Sequence, residues 1–227
     1  MNRHYTQIRS RVDNAASTAG HPVHLLAVSK KQAAAAIREL AAQGQRAFGE
    51  NHVQEALAKQ RELADLDLEW HLIGPLQSNK CREAARHFDW LQSLDREKLV
   101  EPLNRFRPDS APPLNVLIQV NIDGEASKSG CAPETAPALA RTIARFPRLR
   151  LRGLMAIPEP HPDPAQRRVA FARMRELFDA LHADHPGIDT LSMGMSGDFE
   201  AAIACGATMV RVGTALFGAR RTADALR

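Results

Sequence analysis

Short apolar runs alternate with amphipathic segments along almost the whole chain. Apolar runs of about four to eight residues between turn-forming residues are typical of buried β-strands, whereas apolar positions recurring about every three to four residues are typical of helices. The pattern predicts eight strands, over residues 24–30, 47–50, 70–74, 90–94, 115–122, 151–157, 191–195 and 209–213. It predicts a helix after each of the first seven strands, over residues 32–43, 52–63, 78–88, 97–105, 133–146, 164–182 and 199–205.

The two ends of the chain and one helix start carry further local signals. A weak helical period over residues 2–18, closed by Gly20, predicts an extra N-terminal helix. Ser78 is expected to cap the predicted helix over residues 78–88, because a serine hydroxyl oxygen can accept a hydrogen bond from a free N–H of the first turn. The residues after 213 are expected to form a tail.

Strict alternation of strands and helices predicts parallel strands joined by right-handed crossovers. Eight such units in 227 residues fit a closed (β/α)8 barrel, the TIM barrel, here preceded by the extra helix. No change of composition marks a boundary, so residues 1–227 are expected to form one domain. The alternative is an open doubly wound sheet, which is disfavoured because no G-x-G-x-x-G follows the first strand.

Composition indicates an ordinary globular protein. The chain is 44% hydrophobic and 25% charged, and no apolar run approaches the ~20 residues of a membrane span. The N-terminus lacks the apolar segment of a signal peptide, so we expect a cytoplasmic protein. Three scattered cysteines argue against a disulfide framework, and neither they nor the nine histidines have metal-ligand spacing.

The basic charge balance raises the possibility of nucleic-acid binding. The net charge is +4 and the pI about 9.2, but aromatic residues for base stacking make up only 5% of the chain. Much of the excess is arginine spread along predicted helices, which favours a solvated basic surface. We therefore expect neither a nucleic-acid nor a membrane partner. We expect a monomer, because no apolar patch beyond the needs of the barrel can be identified.

The first strand ends in a lysine. Alternation along a strand places Leu26, Val28 and Lys30 on one face, which is otherwise apolar. We expect Lys30 to lose hydration there, which favours the neutral amine that attacks aldehydes. The alternative is that the strand has reached water and simply ends in a charge.

Polar interruptions collect at the predicted carboxyl ends of the strands, which form the active face of a barrel. They are Lys30, Glu50, Asn51, His71, Asp95, Asn121, Ser196, Arg211 and Thr214. The segments around Ser196-Gly197 and Gly213-Thr214 resemble a phosphate site, because glycine admits backbone N–H groups to an anion and hydroxyls add donors. Simple turns are the alternative. A lysine beside a phosphate site and a polar group for a ring nitrogen describe a pocket for pyridoxal 5′-phosphate (PLP).

Two further polar residues lie within apolar strands. Arg211 is surrounded by valine and methionine, and a buried guanidinium needs a partner or a ligand. An ion pair with Glu50 or Asp198 is one possibility, and a ligand contact is the other. His71 is either a hydrogen-bonded core histidine or a catalytic one.

Seven segments carry a resemblance to a known family. They are Ala27-Val28-Ser29-Lys30, Phe48-Gly49-Glu50-Asn51, Trp70 to Lys80, Lys128-Ser129-Gly130, Arg152-Gly153-Leu154-Met155, Gly194-Met195-Ser196 and Val210-Arg211-Val212-Gly213-Thr214. They resemble the pyridoxal phosphate homeostasis proteins, and the match runs essentially from end to end. The resemblance implies a single barrel like the N-terminal domain of bacterial alanine racemase, covalent binding of PLP, and no established catalytic activity.

The resemblance also implies roles for individual residues. The cofactor-binding positions correspond to Lys30, Asn51, Ser196, Arg211, Gly213 and Thr214. Lys30 would form the Schiff base, Arg211 would face the pyridine nitrogen and Asn51 would line the ring, while the other three would hold the phosphate. Lys128 matches a loop lysine proposed as a second PLP contact, with a solvated lysine as the alternative. Lys31-Gln32 departs from the Thr-Lys-Pro of many members, which alters the start of the following helix but leaves Lys30 in place.

A comparison with the residues that racemases need for catalysis indicates whether this chain is a PLP carrier or an enzyme. Racemisation needs two bases, and the racemases supply a tyrosine from a second domain, whereas the only tyrosine here is Tyr5 in the N-terminal helix. An arginine against the pyridine nitrogen also weakens the ring as an electron sink. We expect a protein that holds PLP and supplies it to PLP-dependent apo-enzymes, without catalysis. The alternatives are a weak amino-acid racemase or lyase, and a barrel without a cofactor.

Overall fold

Eight parallel strands close into a barrel, as the strand–helix alternation predicts. The computed structural model describes residues 3–125, 128–159, 161 and 163–218. The strands follow chain order around the barrel and β8 pairs with β1. They are β1 (His24–Val28), β2 (Ala47–Glu50), β3 (Glu69–Leu72), β4 (Trp90–Leu94), β5 (Leu114–Val120), β6 (Leu149–Ala156), β7 (Thr190–Ser192) and β8 (Met209–Val212). The predicted (β/α)8 fold is confirmed.

Helices surround the barrel. They are α1 (Arg3–Ala19), α2 (Ala34–Ala41), α3 (Val53–Glu62), α4 (Cys81–His87), α5 (Val100–Phe106), α6 (Ala136–Ile143), α7 (Pro164–Asp184), α8 (Phe199–Ala204) and α9 (Thr214–Phe217). The extra N-terminal helix is confirmed as α1, which packs against α8 and α9. Arg11 on α1 forms an ion pair with Glu200 on α8.

Two local predictions at helix ends are wrong. Ser78 does not cap α4, because residues Ser78–Lys80 form a 3₁₀ turn ahead of the helix and no side-chain cap is made there. The segment after β8 is not simply a tail, since α9 begins at Thr214 directly beyond the strand. The rest of the predicted tail, residues 219–227, lies outside the described residues.

The core has two layers. The larger layer lies between the strands and the helices and contains residues of both. Two smaller clusters contain strand and strand-end residues alone and therefore fill the barrel interior. They are Leu26 with Ile73 and Met209, and Trp90 with Leu117 and Met155. The interior is not wholly apolar, because His71, Gln92, Ser192 and Arg211 are buried there as well.

The outer layer yields a stability prediction on α7. Phe171 is 1% exposed, whereas Val169 on the same helix is 52% exposed. We expect Phe171→Ala to lower the free energy of unfolding by about 3 to 5 kcal/mol, because it removes buried area and leaves a cavity. The control Val169→Ala should change it by no more than about 0.5 kcal/mol. Equal urea midpoints for the two variants would contradict the assignment of this core face.

Candidate functional site

A cavity of about 390 Å³ opens at the carboxyl ends of the strands. The residues that line it come from β1, β5, β8 and the segments after seven of the strands. They are Val28, Lys30, Asn51, Ile73, Gly74, Pro75, Gln119, Lys128, Ser129, Ile157, Met195, Ser196, Arg211, Gly213 and Thr214. All six residues that the resemblance assigned to cofactor binding are in this set, so the structure brings them to one place.

Lys30 lines the cavity, but it is exposed rather than buried. The expectation that it loses hydration on a core face is therefore wrong. The physical reason is that β1 ends at Val28, and the backbone turns at Lys31, which has a φ of 60°. Lys30 thus lies beyond the strand at the open mouth of the cavity, while Ser29 before it is buried.

The backbone on both sides of Lys30 is held by charged side chains from α3. Nζ of Lys59 donates to the carbonyl of Ser29 at 2.7 Å, and the backbone N–H of Lys31 donates to Oε1 of Glu55. Lys59 Nζ also lies 2.7 Å from Oε1 of Glu55. We call Lys59 and the groups it contacts the Lys59 cluster. It positions the loop that carries Lys30.

The Lys59 cluster also contains a buried carboxylate. Oε1 of Glu50 accepts from Lys59 Nζ at 2.7 Å and from the hydroxyl of Ser29, and Glu50 is 0% exposed. Burial raises the pKa of Glu50 in spite of these hydrogen bonds. Burial acts in the same direction on Glu55, but hydrogen bonds from Lys59 and from the N–H of Lys31 lower its pKa overall.

Gly74 allows the loop after β3 to lie directly against Asn51. A Cβ at position 74 would lie 2.1 Å from the carbonyl oxygen of Asn51, so no other residue fits without moving that backbone. Both residues line the cavity. This contact therefore fixes the position of Asn51 at the rim.

Arg211 is 3% exposed and is held by neutral acceptors. Its Nη1 donates to Oγ of Ser192 and its Nη2 to the carbonyl of Ala156, both at 2.7 Å. In the described part of the chain no carboxylate lies within ion-pairing distance of it, so of the two possibilities left open by the sequence, the ion pair with Glu50 or Asp198 is not formed. Burial lowers the pKa of Arg211 to about 10, partly offset by the charge of Asp198.

The two segments with phosphate-site character lie side by side. β7 pairs with β8, and the backbone N–H of Arg211 donates to the carbonyl of Gly194. Oδ1 of Asp198 accepts from the N–H of Met195 at 2.6 Å, which closes the turn that carries Ser196. A Cβ at Gly213 would lie 3.2 Å from the carbonyl oxygen of Val28, so this loop is also packed against the end of β1.

His71 belongs to the barrel interior and does not line the cavity. It is 0% exposed, its Nε2 lies 2.7 Å from Oε1 of Glu69, and its ring stacks on Trp90 at 5.2 Å between centroids. Burial lowers its pKa below the usual value. Of the two possibilities that the sequence left open, the structure shows the hydrogen-bonded core histidine.

The sequence interpretation missed one lining residue, Gln119, and left the role of another, Lys128, open. Gln119 is buried at the cavity, where its Nε2 donates to the carbonyl of Ser129 at 3.1 Å. The signal was present, because Gln119 interrupts the most β-rich run of the chain. Lys128 also lines the cavity, and its Nζ lies 3.1 Å from Oε1 of Glu125.

The charge of the cavity suits an anionic ligand. Among the described residues that line it, Lys30, Lys128 and Arg211 are cationic and none is acidic. Val28, Ile73 and Ile157 supply apolar surface, and Asn51 and Gln119 supply amides. A flat ring carrying a phosphate and an aldehyde fits this combination of cations, amides and apolar walls.

Two further properties concern the described residues only. None of their helices has the length and apolar character that crossing a membrane would require. No three of their His, Cys, Asp and Glu side chains are grouped where they could hold a metal ion.

The fold and the lysine-bearing cavity define a class of protein. The family model described as alanine racemase, N-terminal domain, matches residues 4–221. An alanine racemase of Clostridium difficile superposes on the chain with a TM-score of 0.70, and the match covers 95% of this chain and 57% of that one. The two sequences are only 13% identical, so this match shows likeness of fold alone.

Comparisons at higher identity narrow the class. The chain is 59% identical over 217 residues to the pyridoxal phosphate homeostasis protein of Pseudomonas aeruginosa, covering 94% of this chain and 93% of that protein. It is 51% identical to the protein of the same name from Escherichia coli, covering 94% of each. The chain belongs to the pyridoxal phosphate homeostasis protein family. PipY of Synechococcus elongatus, solved with PLP bound, has a TM-score of 0.84 and 41% identity, covering 96% of this chain and 99% of that one.

The Lys59 cluster gives a second stability prediction. Lys59→Met leaves Glu50 buried without its cation, so we expect the free energy of unfolding at neutral pH to fall by about 3 kcal/mol or more. Glu50 already has a raised pKa in the folded protein. Without Lys59 the folded state takes up a proton there more readily than the unfolded chain. The difference in the free energy of unfolding between Lys59→Met and the parent protein should therefore shrink as the pH is lowered through the pKa of Glu50 in the folded variant.

The matched control for this variant is Arg9→Met, which removes an exposed ion pair between Arg9 and Asp13 on α1. Such a pair contributes little, so the control should unfold close to the parent protein. Urea titrations of all three proteins across the pH range provide the measurement. A Lys59→Met deficit that does not change with pH would show that Glu50 is not its source.

Proposed function

We propose that this chain binds PLP in the cavity and takes part in PLP homeostasis, holding the cofactor as a Schiff base of Lys30. The observation that carries the proposal is the convergence of Lys30, Arg211, Ser196 and the Gly213-Thr214 loop on one cavity without an acidic lining residue in the described part of the chain. The names of the relatives and the PLP-bound PipY structure support the same ligand.

The cofactor supplies an aldehyde that condenses reversibly with a primary amine. The Nζ of Lys30 attacks the aldehyde carbon, a C=N bond forms, and the carbonyl oxygen leaves as water. Ser196, Gly213 and Thr214 hold the phosphate through hydroxyl and backbone N–H donors. Asn51 and the apolar lining residues contact the ring.

Arg211 faces the pyridine nitrogen in this proposal. A guanidinium can donate a hydrogen bond but cannot accept one, so it favours the unprotonated nitrogen. An unprotonated ring withdraws electrons weakly, which suits holding the cofactor better than transforming an amino acid. Tyr5, the only tyrosine in the sequence, lies on α1 and not among the lining residues. A second base of the racemase type is therefore not supplied by a tyrosine.

We propose that PLP-dependent apo-enzymes receive the cofactor and that residues 1–227 act as one domain in a monomer. Among the described residues, the large apolar side chains that are exposed are Ile157 and Val169. Ile157 belongs to the cavity lining, and Val169 is isolated on α7. This surface supports the proposal because a stable dimer needs a continuous apolar patch.

Substituting each of the two cavity lysines in turn tests whether Lys30 forms the Schiff base. We expect the purified protein incubated with PLP to show a visible imine band that Lys30→Ala abolishes. Lys128→Ala is the matched control, since it removes the other cavity lysine, and it should retain the band. Absorption spectra and mass spectra after borohydride reduction provide the measurement. A band that survives Lys30→Ala would refute the assignment of Lys30.

Turnover distinguishes a carrier from a weak racemase or lyase. We expect the PLP-loaded protein to form no D-isomer or keto product from any L-amino acid above the level of Lys30→Ala. The same loaded protein should restore activity to a PLP-dependent apo-enzyme. Chiral chromatography and an apo-enzyme reactivation assay measure the two properties. Steady Lys30-dependent turnover would favour the enzyme instead.

A further inference from the structure

A row of hydrogen bonds crosses the barrel interior and ends at Arg211. Glu69 opens β3, and its Oε1 lies 2.7 Å from Nε2 of His71. Nδ1 of His71 lies 2.9 Å from Nε2 of Gln92, and Oε1 of Gln92 accepts from the hydroxyl of Ser192 at 2.7 Å. Ser192 Oγ in turn accepts from Nη1 of Arg211 at 2.7 Å. We call these five side chains the interior row.

Every hydrogen bond of the interior row has the same direction, and Arg211 dictates it. A guanidinium only donates, so Ser192 must accept from it and donate its own proton to the carbonyl oxygen of Gln92. The amide nitrogen of Gln92 then faces Nδ1 of His71, which must accept. His71 is left as the neutral tautomer with its proton on Nε2, and this proton is donated to Glu69. The row therefore links a buried cation to a carboxylate through aligned dipoles.

The interior row is buried except at its carboxylate end. His71, Gln92 and Ser192 are each 0% exposed, and the Glu69 side chain is 46% exposed. A polar group that loses its partner in such a place cannot turn to water instead, so each bond constrains its neighbours. A substitution at one member should therefore alter the hydrogen bonding of a member two positions further along the row.

Ionisable groups outside the interior row affect the pKa values of two of its members, Arg211 and His71. Asp198 acts on Arg211, and Asp89 and His24 act on His71. Burial dominates at both positions, so the pKa of His71 is lowered in spite of the carboxylates of Glu69 and Asp89. A neutral His71 agrees with the tautomer that the hydrogen-bond directions require.

We propose that Ser192 and Gln92 are positioning residues for Arg211, and that the interior row acts as one coupled unit that holds the guanidinium toward the cavity. The carbonyl of Ala156 is the second anchor of Arg211 and does not depend on the row. Without the Ser192 hydroxyl, Nη1 loses its acceptor, and the guanidinium can rotate about the hydrogen bond between Nη2 and Ala156. The part of the proposal that concerns the ligand rests on the proposed function.

The first test uses the PLP-loaded protein with the variants Ser192→Ala and Gln92→Met. We expect both to shift the pH midpoint of the Lys30 imine band by about half a unit or more and to weaken PLP retention about tenfold. The control is Thr190→Val on the same strand. It removes a hydroxyl that donates to Asp189 rather than to the interior row, so it should match the parent protein. Parental midpoints in both row variants would overturn the positioning role.

The second test uses the protein without cofactor and measures ¹⁵N NMR spectra of ring-labelled histidine. We expect His71 of the parent protein to be the neutral Nε2–H tautomer at neutral pH, since burial lowers its pKa. Ser192→Ala should shift the His71 signals although no hydrogen bond joins Ser192 to that ring, because the carbonyl oxygen of Gln92 loses its donor. Thr190→Val should leave them unchanged.

The two tests separate the failure of this inference from that of the proposed function. Unchanged His71 signals in Ser192→Ala would overturn the coupled unit whether or not PLP binds. A parent protein without a Lys30-dependent band would refute the proposed function, and the NMR result would still decide the coupling. Shifted His71 signals together with unchanged PLP spectra would overturn the positioning of Arg211.

Discussion

The pairing of β1 with β8 is the contact on which the cavity depends. Ala27 lies in register with Val212, so the segments that follow the two strands leave the barrel side by side. One segment carries Lys30 and the other carries Gly213 and Thr214, although about 180 residues separate them in the chain. A sheet that stayed open would place these groups at opposite edges. Closure thus creates a site that contains an amine and a set of anion donors.

Two polar clusters refine the site that closure creates. The Lys59 cluster lies outside the barrel, under α3, and holds the backbone around Lys30. The interior row lies inside the barrel and holds Arg211. Burying charge is costly, and an apolar replacement often gives equal or greater stability. We infer that these buried groups serve to position cavity residues, since the Lys59 cluster holds the backbone on both sides of Lys30 and the interior row ends at Arg211.

Sequence reasoning predicted the barrel well because the apolar periods of strands and helices are local properties. It misplaced Lys30 because it extended the alternation of β1 by two residues beyond Val28, where the strand ends ahead of the turn at Lys31. For Arg211 it considered an ion pair or a ligand contact and did not foresee the acceptors in the structure, which are a hydroxyl and a backbone carbonyl. No local pattern identifies Ser192, whose partners Gln92 and Arg211 are distant in the chain and meet it only in the closed barrel.

The exposure of Lys30 bears on the kind of PLP site that we propose. A deeply buried lysine would gain reactivity by desolvation but would exclude the water that must attack an imine before the aldehyde can leave. A lysine at the open mouth of the cavity can be reached by water and by a competing amine. Its position therefore favours reversible loading and release over a closed catalytic site. The early end of β1 thus accounts both for the exposure of Lys30 and for the access of water to it.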